Sequence, residues 1–262
     1  MAIWTAAFDT SGSEGDAKTQ FLTVAGFLST AQEWIAFSEL WQKRLQDDGL
    51  EYFRMAEFAQ SVKQFAAWKN QEARRQRLLG DLLDIIKRHA FRKFGTVVEI
   101  AALNEHLDDA FKQDFHLTAY ALAGRSAVGD VWQWTKSQGM LATPVAMVFE
   151  DGDLGKGELT KRCEEDGIPV NFRPKKDQIS GDVLVPGFIP LQACDILAYE
   201  MGLLVRQDRP QTQWRWAAKE LLKMPGRIGI FTAPDIQSLR RDLEEEINSK
   251  SSRSAETPTG AS

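Results

Sequence analysis

The chain has 262 residues, of which 43% are hydrophobic and 26% are charged, and its formal net charge is −5 at pH 7. This length is enough for one large domain with a sizeable core, and the composition is ordinary for a soluble globular protein. The negative charge argues against a protein that coats nucleic acid non-specifically, although it says little about one local groove.

The N-terminus and the cysteines predict a cytoplasmic protein. The opening MAIWTAAFDTSG lacks a basic region followed by a long apolar run, so no secretory signal is expected. No apolar stretch reaches the length of about 20 residues that a bilayer requires, so no membrane partner is expected. Cys163 and Cys194 lack metal-like spacing, and a reducing compartment fits them better than a disulfide scaffold.

Strands and helices alternate in the first part of the chain. Apolar runs bounded by turn residues predict the strands, and apolar residues at helical spacing predict the helices. In chain order, the predicted elements are strands at 3–8 and 21–29, a helix at about 31–48, a short mixed stretch at 52–58, a helix at 68–90 and a strand at 91–102.

The second part continues the alternation and ends in a polar tail. The predicted elements are a helical region at about 105–137, a strand at 143–153, a helix at 156–166, a strand at 169–173, a loop at 174–188, and helices at 190–206 and 212–223. The pattern predicts an α/β fold with a mixed sheet flanked by helices. We expect one domain over 1–247, with helical insertions at about 31–90 and 105–137, and a disordered tail over 248–262.

Carboxylates stand at the ends of two predicted strands and inside one apolar helix. Asp9 follows WTAAF, Glu150 follows VAMVF, and Asp195 lies within LQACDILAYE. If the two strands are parallel neighbours, their acids emerge at one edge of the sheet, where the helix can add Asp195. Three carboxylates on partly buried ground repel one another, and Mg²⁺ or Mn²⁺ would relieve the repulsion with all-oxygen ligation.

Structural roles explain several of these acids equally well at this point. Asp9 alone is typical of a turn or cap residue, and a buried Asp–Arg pair accounts for Asp195 as well as a metal does. Asp151 and Asp153 suit a turn and the start of a helix. Glu200 lies on another side of its helix and is a weaker candidate for the site.

Several segments together resemble one family. They are FDTSG, VAGFL, FRMAEF, FRPKK and above all PLQACDILAYE. In this order they resemble the prokaryotic and phage family known as domain of unknown function 3800, which has a ribonuclease-H-like fold. The resemblance covers most of residues 3–206, and its last motif is the specific part.

The resemblance implies a metal-dependent nuclease. It assigns Asp9, Glu150 and Asp195 as ligands of Mg²⁺ or Mn²⁺ and as catalytic residues, because such nucleases hold two ions with acids from the first strand, the fourth strand and a late helix. The implied reaction is hydrolysis of a phosphodiester. Lys175 or Lys176 can meet the phosphate, and we assign Lys176 to the site, with solvated surface as the alternative for both.

The chain departs from the family pattern in two places. Thr10 replaces the acid that commonly follows the first aspartate, and Arg54 stands where a histidine is common. Glu14, Asp16 and Glu57 are candidates to compensate. Gln192, one helical turn before the LQACD aspartate, is expected to orient that carboxylate or to bond to neighbouring backbone.

Basic clusters and tryptophans suggest contacts with nucleic acid. The clusters lie at 73–77, 87–93 and 172–176, and Trp214 and Trp216 offer rings for base stacking. Solvated helix faces and core packing are the structural alternatives.

Two functional hypotheses follow. The first is a nuclease acting on RNA or DNA, with a role in phage defence or mobile elements suggested by association. The second is a catalytically degenerate ribonuclease-H-like protein that binds nucleic acid or a protein partner. A homo-oligomer is compatible with both.

Overall fold

The main sheet has six strands, in a computed structural model that describes residues 3–140 and 143–255. A separate two-stranded hairpin follows the fifth strand. The strands are β1 (Trp4–Ser11), β2 (Phe21–Thr30), β3 (Arg92–Glu99), β4 (Val145–Glu150), β5 (Val170–Arg173), β6 (Gln178–Ser180), β7 (Val183–Val185) and β8 (Gly226–Phe231).

Helices connect most of the strands of the main sheet. They are α1 (Ala31–Asp47), α2 (Met55–Gln60), α3 (Glu72–His89), α4 (Ile100–His106), α5 (Asp109–Asp114), α6 (Ala119–Ser137), α7 (Lys156–Glu165), α8 (Pro190–Gln207), α9 (Trp216–Lys223) and α10 (Ala233–Ala255), with 3₁₀ turns at Lys63–Trp68 and Gln211–Gln213. In the described part of the chain, none of them combines the length and the apolar character needed to cross a bilayer.

The main sheet is mixed, in the order β5-β4-β1-β2-β3-β8. Strands β1, β2 and β3 are antiparallel neighbours, whereas β4 runs parallel to β1, β5 to β4, and β8 to β3. The predicted α/β class, with a mixed sheet flanked by helices, is therefore confirmed.

Helices cover both faces of the sheet. The side chains of β1 alternate between these two faces, and this alternation determines which helices each of them contacts. Ala7 packs in the core that includes α1, α3, α8 and α9, while Ala6 and Phe8 pack in the core that includes α6. Successive side chains of a strand point to opposite faces. Asp9 therefore faces α8, and its side chain is buried.

Several segments differ from the sequence prediction, among them the region at 105–137 and the C-terminal tail. The helical region expected at 105–137 is divided, because Asp108 and Thr118 accept hydrogen bonds from backbone amides and begin α5 and α6 anew. Helix α10 includes residues 248–255 of the predicted disordered tail, and residues 256–262 lie outside the described part of the chain.

Candidate active site

Asp9 and Glu150 lie side by side on two adjacent parallel strands. Strands β1 and β4 pair with Phe8 opposite Phe149, so the next residue of each strand emerges on the α8 face at the same edge. Asp9 is 1% exposed, whereas the Glu150 side chain keeps partial contact with solvent. The register thus brings together two of the carboxylates that the sequence singles out.

Helix α8 adds the third carboxylate. The Cys194 thiol donates to the carbonyl oxygen of Ala7 over 3.1 Å, which fixes the start of α8 against β1. The following residue, Asp195, points towards the strand ends, and its Oδ2 accepts a hydrogen bond from the backbone amide of Met55 at the start of α2. One oxygen of this buried carboxylate is therefore satisfied by backbone.

The side chain of Lys175 meets all three acids. Its Nζ lies 2.8 Å from Asp9 Oδ2, 2.9 Å from Glu150 Oε2 and 3.2 Å from Asp195 Oδ1. Lys175 is itself only 6% exposed. The buried aspartate of the LQACD helix thus has a cationic partner, and that partner is a lysine shared among three carboxylates.

Gln192 holds the backbone that carries this lysine. Its Nε2 donates to the carbonyl oxygen of Lys175 over 2.8 Å. Its Oε1 accepts from the indole of Trp41 at 2.9 Å and from the amide of Phe53 at 2.8 Å. Of the two roles expected for Gln192, the contact with neighbouring backbone is the one found.

One ammonium does not balance the charge of two buried carboxylates, Asp9 and Asp195, and the partly buried Glu150. Burial raises the pKa of Asp9 to about 7, although Lys175 opposes the rise. Burial likewise raises the pKa of Asp195 to about 6 against the attraction of Lys175. Burial alone would lower the pKa of Lys175, but its attraction to the acids outweighs burial and raises that pKa. The cluster keeps an excess of negative charge.

A fourth acid, Asp153, approaches the cluster from the loop after β4. Burial raises its pKa, the Thr10 side chain acts in the opposite direction, and Asp9 adds to the rise. Asp153 Oδ2 is buried without a hydrogen-bond partner among the described residues. The sequence favoured a turn role for Asp153, since its loop context gives no sign that it approaches Thr10.

The acids expected to compensate for Thr10 lie elsewhere. Glu14 accepts a hydrogen bond at the start of α6, Asp16 bonds within its own loop, and Glu57 pairs with Lys63. Asp153 is the acid that stands beside Thr10 instead.

Lys176 does not contact the three carboxylates, and its assignment to the site stays a prediction. Its Nζ sits 4.0 Å from the centre of the Tyr52 ring, a cation–π geometry. Adjacent side chains diverge at this bend of the chain, so Lys175 enters the cluster and its neighbour turns away.

The donor chemistry of the cluster fits a hard divalent cation. Asp9, Glu150 and Asp195 offer only oxygen ligands, which suit Mg²⁺ or Mn²⁺, and the unpartnered oxygen of Asp153 lies in the same region. Over the described ranges, however, no group of three or more His, Cys, Asp or Glu side chains is arranged to hold a metal ion. A cation would have to take over contacts that Lys175 now makes.

Comparisons with protein-family models, curated proteins and solved structures give no match to this chain. The resemblance to the family known as domain of unknown function 3800 therefore stays a prediction.

Glu200 is a second buried carboxylate of α8, separate from the cluster. Its side chain is 0% exposed, and the guanidinium of Arg215 lies 3.3 Å from Glu200 Oε1. That contact is not aligned as a hydrogen bond, and neither carboxylate oxygen has a hydrogen-bond partner among the described residues. Burial raises the pKa of Glu200 from its ordinary value of 4.5 to about 7, while Arg215 opposes the rise.

This raised pKa predicts a loss of stability with rising pH. Between its unfolded and folded pKa values, Glu200 binds its proton more tightly in the folded state, so its contribution to stability falls as pH rises through that window. Between pH 4.5 and 7.5, the free energy of unfolding of the wild type should fall by about 2–3 kcal/mol more than that of Glu200→Gln. Urea unfolding across this range measures the difference, and parallel pH profiles for the two proteins would contradict the assignment.

Proposed function

We propose that the protein is a divalent-cation-dependent phosphodiesterase that hydrolyses RNA or DNA, built on a ribonuclease-H-like sheet. The observation that carries the proposal is the convergence of Asp9, Glu150 and Asp195, from β1, β4 and α8, at one edge of the sheet. Carboxylates gathered in this way repel one another and favour a cation of high charge.

The order of the strands supports the fold part of the proposal. Strands β1, β2 and β3 are antiparallel neighbours, and β4 and β5 run parallel to β1 on its other side. The resemblance implies acids on the first strand, the fourth strand and a late helix. Asp9, Glu150 and Asp195 stand in those three elements.

The residues of the site divide the chemistry among them. Asp9, Glu150 and Asp195 would hold the cation, which when bound polarises a phosphoryl oxygen and lowers the pKa of water. Lys175 keeps its proton because its pKa is raised, so its ammonium can pair with a phosphate oxygen as a point charge. Arg54, exposed at the start of α2, adds positive charge at the rim.

A binding module without catalysis is the second candidate. Lys175 already pairs with all three carboxylates, so the cluster has a partner without a metal ion. Thr10, in place of the acid common in the resembled family, also favours this candidate. The two functions differ in whether a divalent cation binds.

Cation binding should appear as a shift of the thermal midpoint. A ligand of the folded state at a hundred times its Kd stabilises it by about 2.7 kcal/mol, which in a protein of this size raises Tm by about 5–10 °C. We expect Mn²⁺ to raise the Tm of the wild type and not that of Asp9→Asn, which removes one ligand charge. Glu200→Gln, with a buried acid changed outside the cluster, is the matched control and should keep the shift.

Equal shifts in the wild type and Asp9→Asn, or none in either, would favour the binding module. Hydrolysis itself is measured as cleavage of labelled RNA and DNA in Mn²⁺ against EDTA.

A further inference from the structure

A groove of about 750 Å³ opens between α2, α3 and α9. Its lining includes Phe58 from α2, Arg75 and Arg77 from α3, and Arg215 and Trp216 from the start of α9. The basic cluster at 73–77 and one of the two tryptophans of QWRW, which are far apart in the sequence, thus share one surface.

Trp216 offers an exposed ring to this groove. The residue is 49% exposed, although it is one of the largest apolar side chains. Its ring rests over α3 at Gly80, where the Cη2 atom lies 3.5 Å from the place of an added Cβ. The ring is therefore supported by the helix below it and leaves the remainder of its surface open for stacking.

Three arginines line the same groove as this ring. Arg75 is held at 4.4 Å over the Phe58 ring and donates to Ser61 Oγ over 2.6 Å. Arg215 leans towards Glu200 and keeps 39% of its side chain exposed. Arg77 is exposed and makes no ion pair within residues 3–140 and 143–255. On a chain of net charge −5, this is a local basic surface with a free cation.

The carboxylate of Glu72 is the acid of the groove, and it is partly engaged. Its Oε2 lies 3.7 Å from Arg75 Nε, and its side chain is 71% exposed. It therefore cannot neutralise three arginines. The groove favours an anion.

The groove and the carboxylate cluster lie at two ends of one short helix. The amide of Met55, the first residue of α2, binds Asp195. Phe58, one turn later, lies in the wall of the groove. Helix α2 therefore connects the wall of the groove to the carboxylate cluster.

We infer that this groove binds a single-stranded segment of nucleic acid, with one base stacked on Trp216 and neighbouring phosphates paired with Arg77 and Arg215. The inference rests on the proposed function for its choice of nucleic acid. An exposed ring needs an unstacked base, which a single strand supplies and a duplex does not. A groove of this size also matches a small-ligand cleft and takes one or two nucleotides.

The test is binding of labelled single strands to the 262-residue chain in EDTA, where cleavage does not interfere. Single-stranded RNA and DNA of about 12 nucleotides, within the range of single-strand site sizes, and their duplexes are compared by fluorescence anisotropy. We expect Trp216→Ala to weaken binding of the single strands by about 5- to 100-fold, the range of one base stacked on an aromatic ring. Arg77→Ala should reduce the steepness of the salt dependence by about 0.7 in log–log slope, as the loss of one phosphate contact predicts.

Matched controls lie on the other face of the sheet. Trp132 on α6 is 46% exposed and carries a lysine over its ring, and Arg241 on α10 is exposed. Trp132→Ala and Arg241→Ala should bind the single strand as the wild type does. Arg77 is exposed and makes no ion pair among the described residues, so Arg77→Ala is expected to fold normally. This variant therefore still tests the groove if Trp216→Ala loses stability.

Several results would overturn the inference. They are wild-type affinity in both groove variants, duplex binding as tight as single-strand binding, competition by polyglutamate as strong as by an unlabelled strand, and equal competition by a nucleoside monophosphate. A failure of the proposed hydrolysis can be distinguished from a failure of this inference. If Mn²⁺ supports no cleavage while binding still depends on Trp216, the groove stands and the phosphodiesterase does not. If Asp195→Asn abolishes cleavage but binding does not depend on the groove residues, the phosphodiesterase stands and the groove does not.

Discussion

Replacing Lys175 by methionine is expected to lower the free energy of unfolding by about 3–5 kcal/mol at pH 8 in the absence of divalent cations. The ammonium is the shared partner of Asp9, Glu150 and Asp195, and its removal leaves three buried or half-buried carboxylates facing one another. Because methionine keeps most of the apolar part of the lysine side chain, the loss of unfolding free energy measures the effect of removing the positive charge. Urea unfolding of the two proteins measures it.

The loss should shrink as pH falls. Protonation of the carboxylates relieves their repulsion, and the pKa values of Asp9 and Asp195 are already raised to about 7 and about 6 with the lysine present. Lys176→Met is the matched control. It removes a lysine that contacts the Tyr52 ring, and the expected cost is below about 1 kcal/mol. Equal costs for the two substitutions would mean that Lys175 does not hold the cluster together.

Asp195→Asn is expected to lower the rate of phosphodiester cleavage at least about a thousandfold, which corresponds to about 4 kcal/mol of transition-state stabilisation. The amide oxygen of asparagine can still accept from Met55, so the backbone contact of α2 is preserved. What is lost is one charge of the cluster. Because Lys175 retains two carboxylate partners, the variant should fold. Its initial rate of cleavage in Mn²⁺ then measures the effect of the substitution on the chemical step and not on folding.

The carboxylate cluster could be anticipated because its signals are local. Asp9 and Glu150 each follow a short apolar run, and Asp195 interrupts an apolar helix, so each stands out within about ten residues of sequence. The parallel pairing of β1 and β4 was a condition of the prediction, and the register meets it.

The cation of the cluster was harder to assign. FRPKK offers two adjacent lysines, and the choice between Lys175 and Lys176 depends on a bend in the chain and on a bond from Gln192, a residue distant in the sequence. The position of Asp153 has no local sequence signal for a similar reason. Asp153 lies beside Thr10 because the loop after β4 folds back towards β1. A turn-like sequence such as EDGDLGKG does not show in which direction its loop folds.

Strand β8 had no prediction either. GRIGIF is short, contains two glycines and leaves Arg227 exposed, so it lacks the alternation of a half-buried strand. It becomes a strand through pairing with β3, which lies more than a hundred residues earlier in the chain. Such a long-range contact has no signal in a local pattern.

The most direct measurement of the proposed site is cleavage of labelled single-stranded and double-stranded RNA and DNA in Mg²⁺ or Mn²⁺ by wild type, Asp195→Asn and Glu200→Gln in parallel. The carboxylate cluster predicts cation-dependent cleavage of at least one substrate by the wild type and Glu200→Gln, and its loss in Asp195→Asn. If all three proteins fold and none cleaves, or if Asp195→Asn cleaves as fast as the wild type, the cluster is not a hydrolytic site. Lys175 and its three acids would then form a structural ion-pair network.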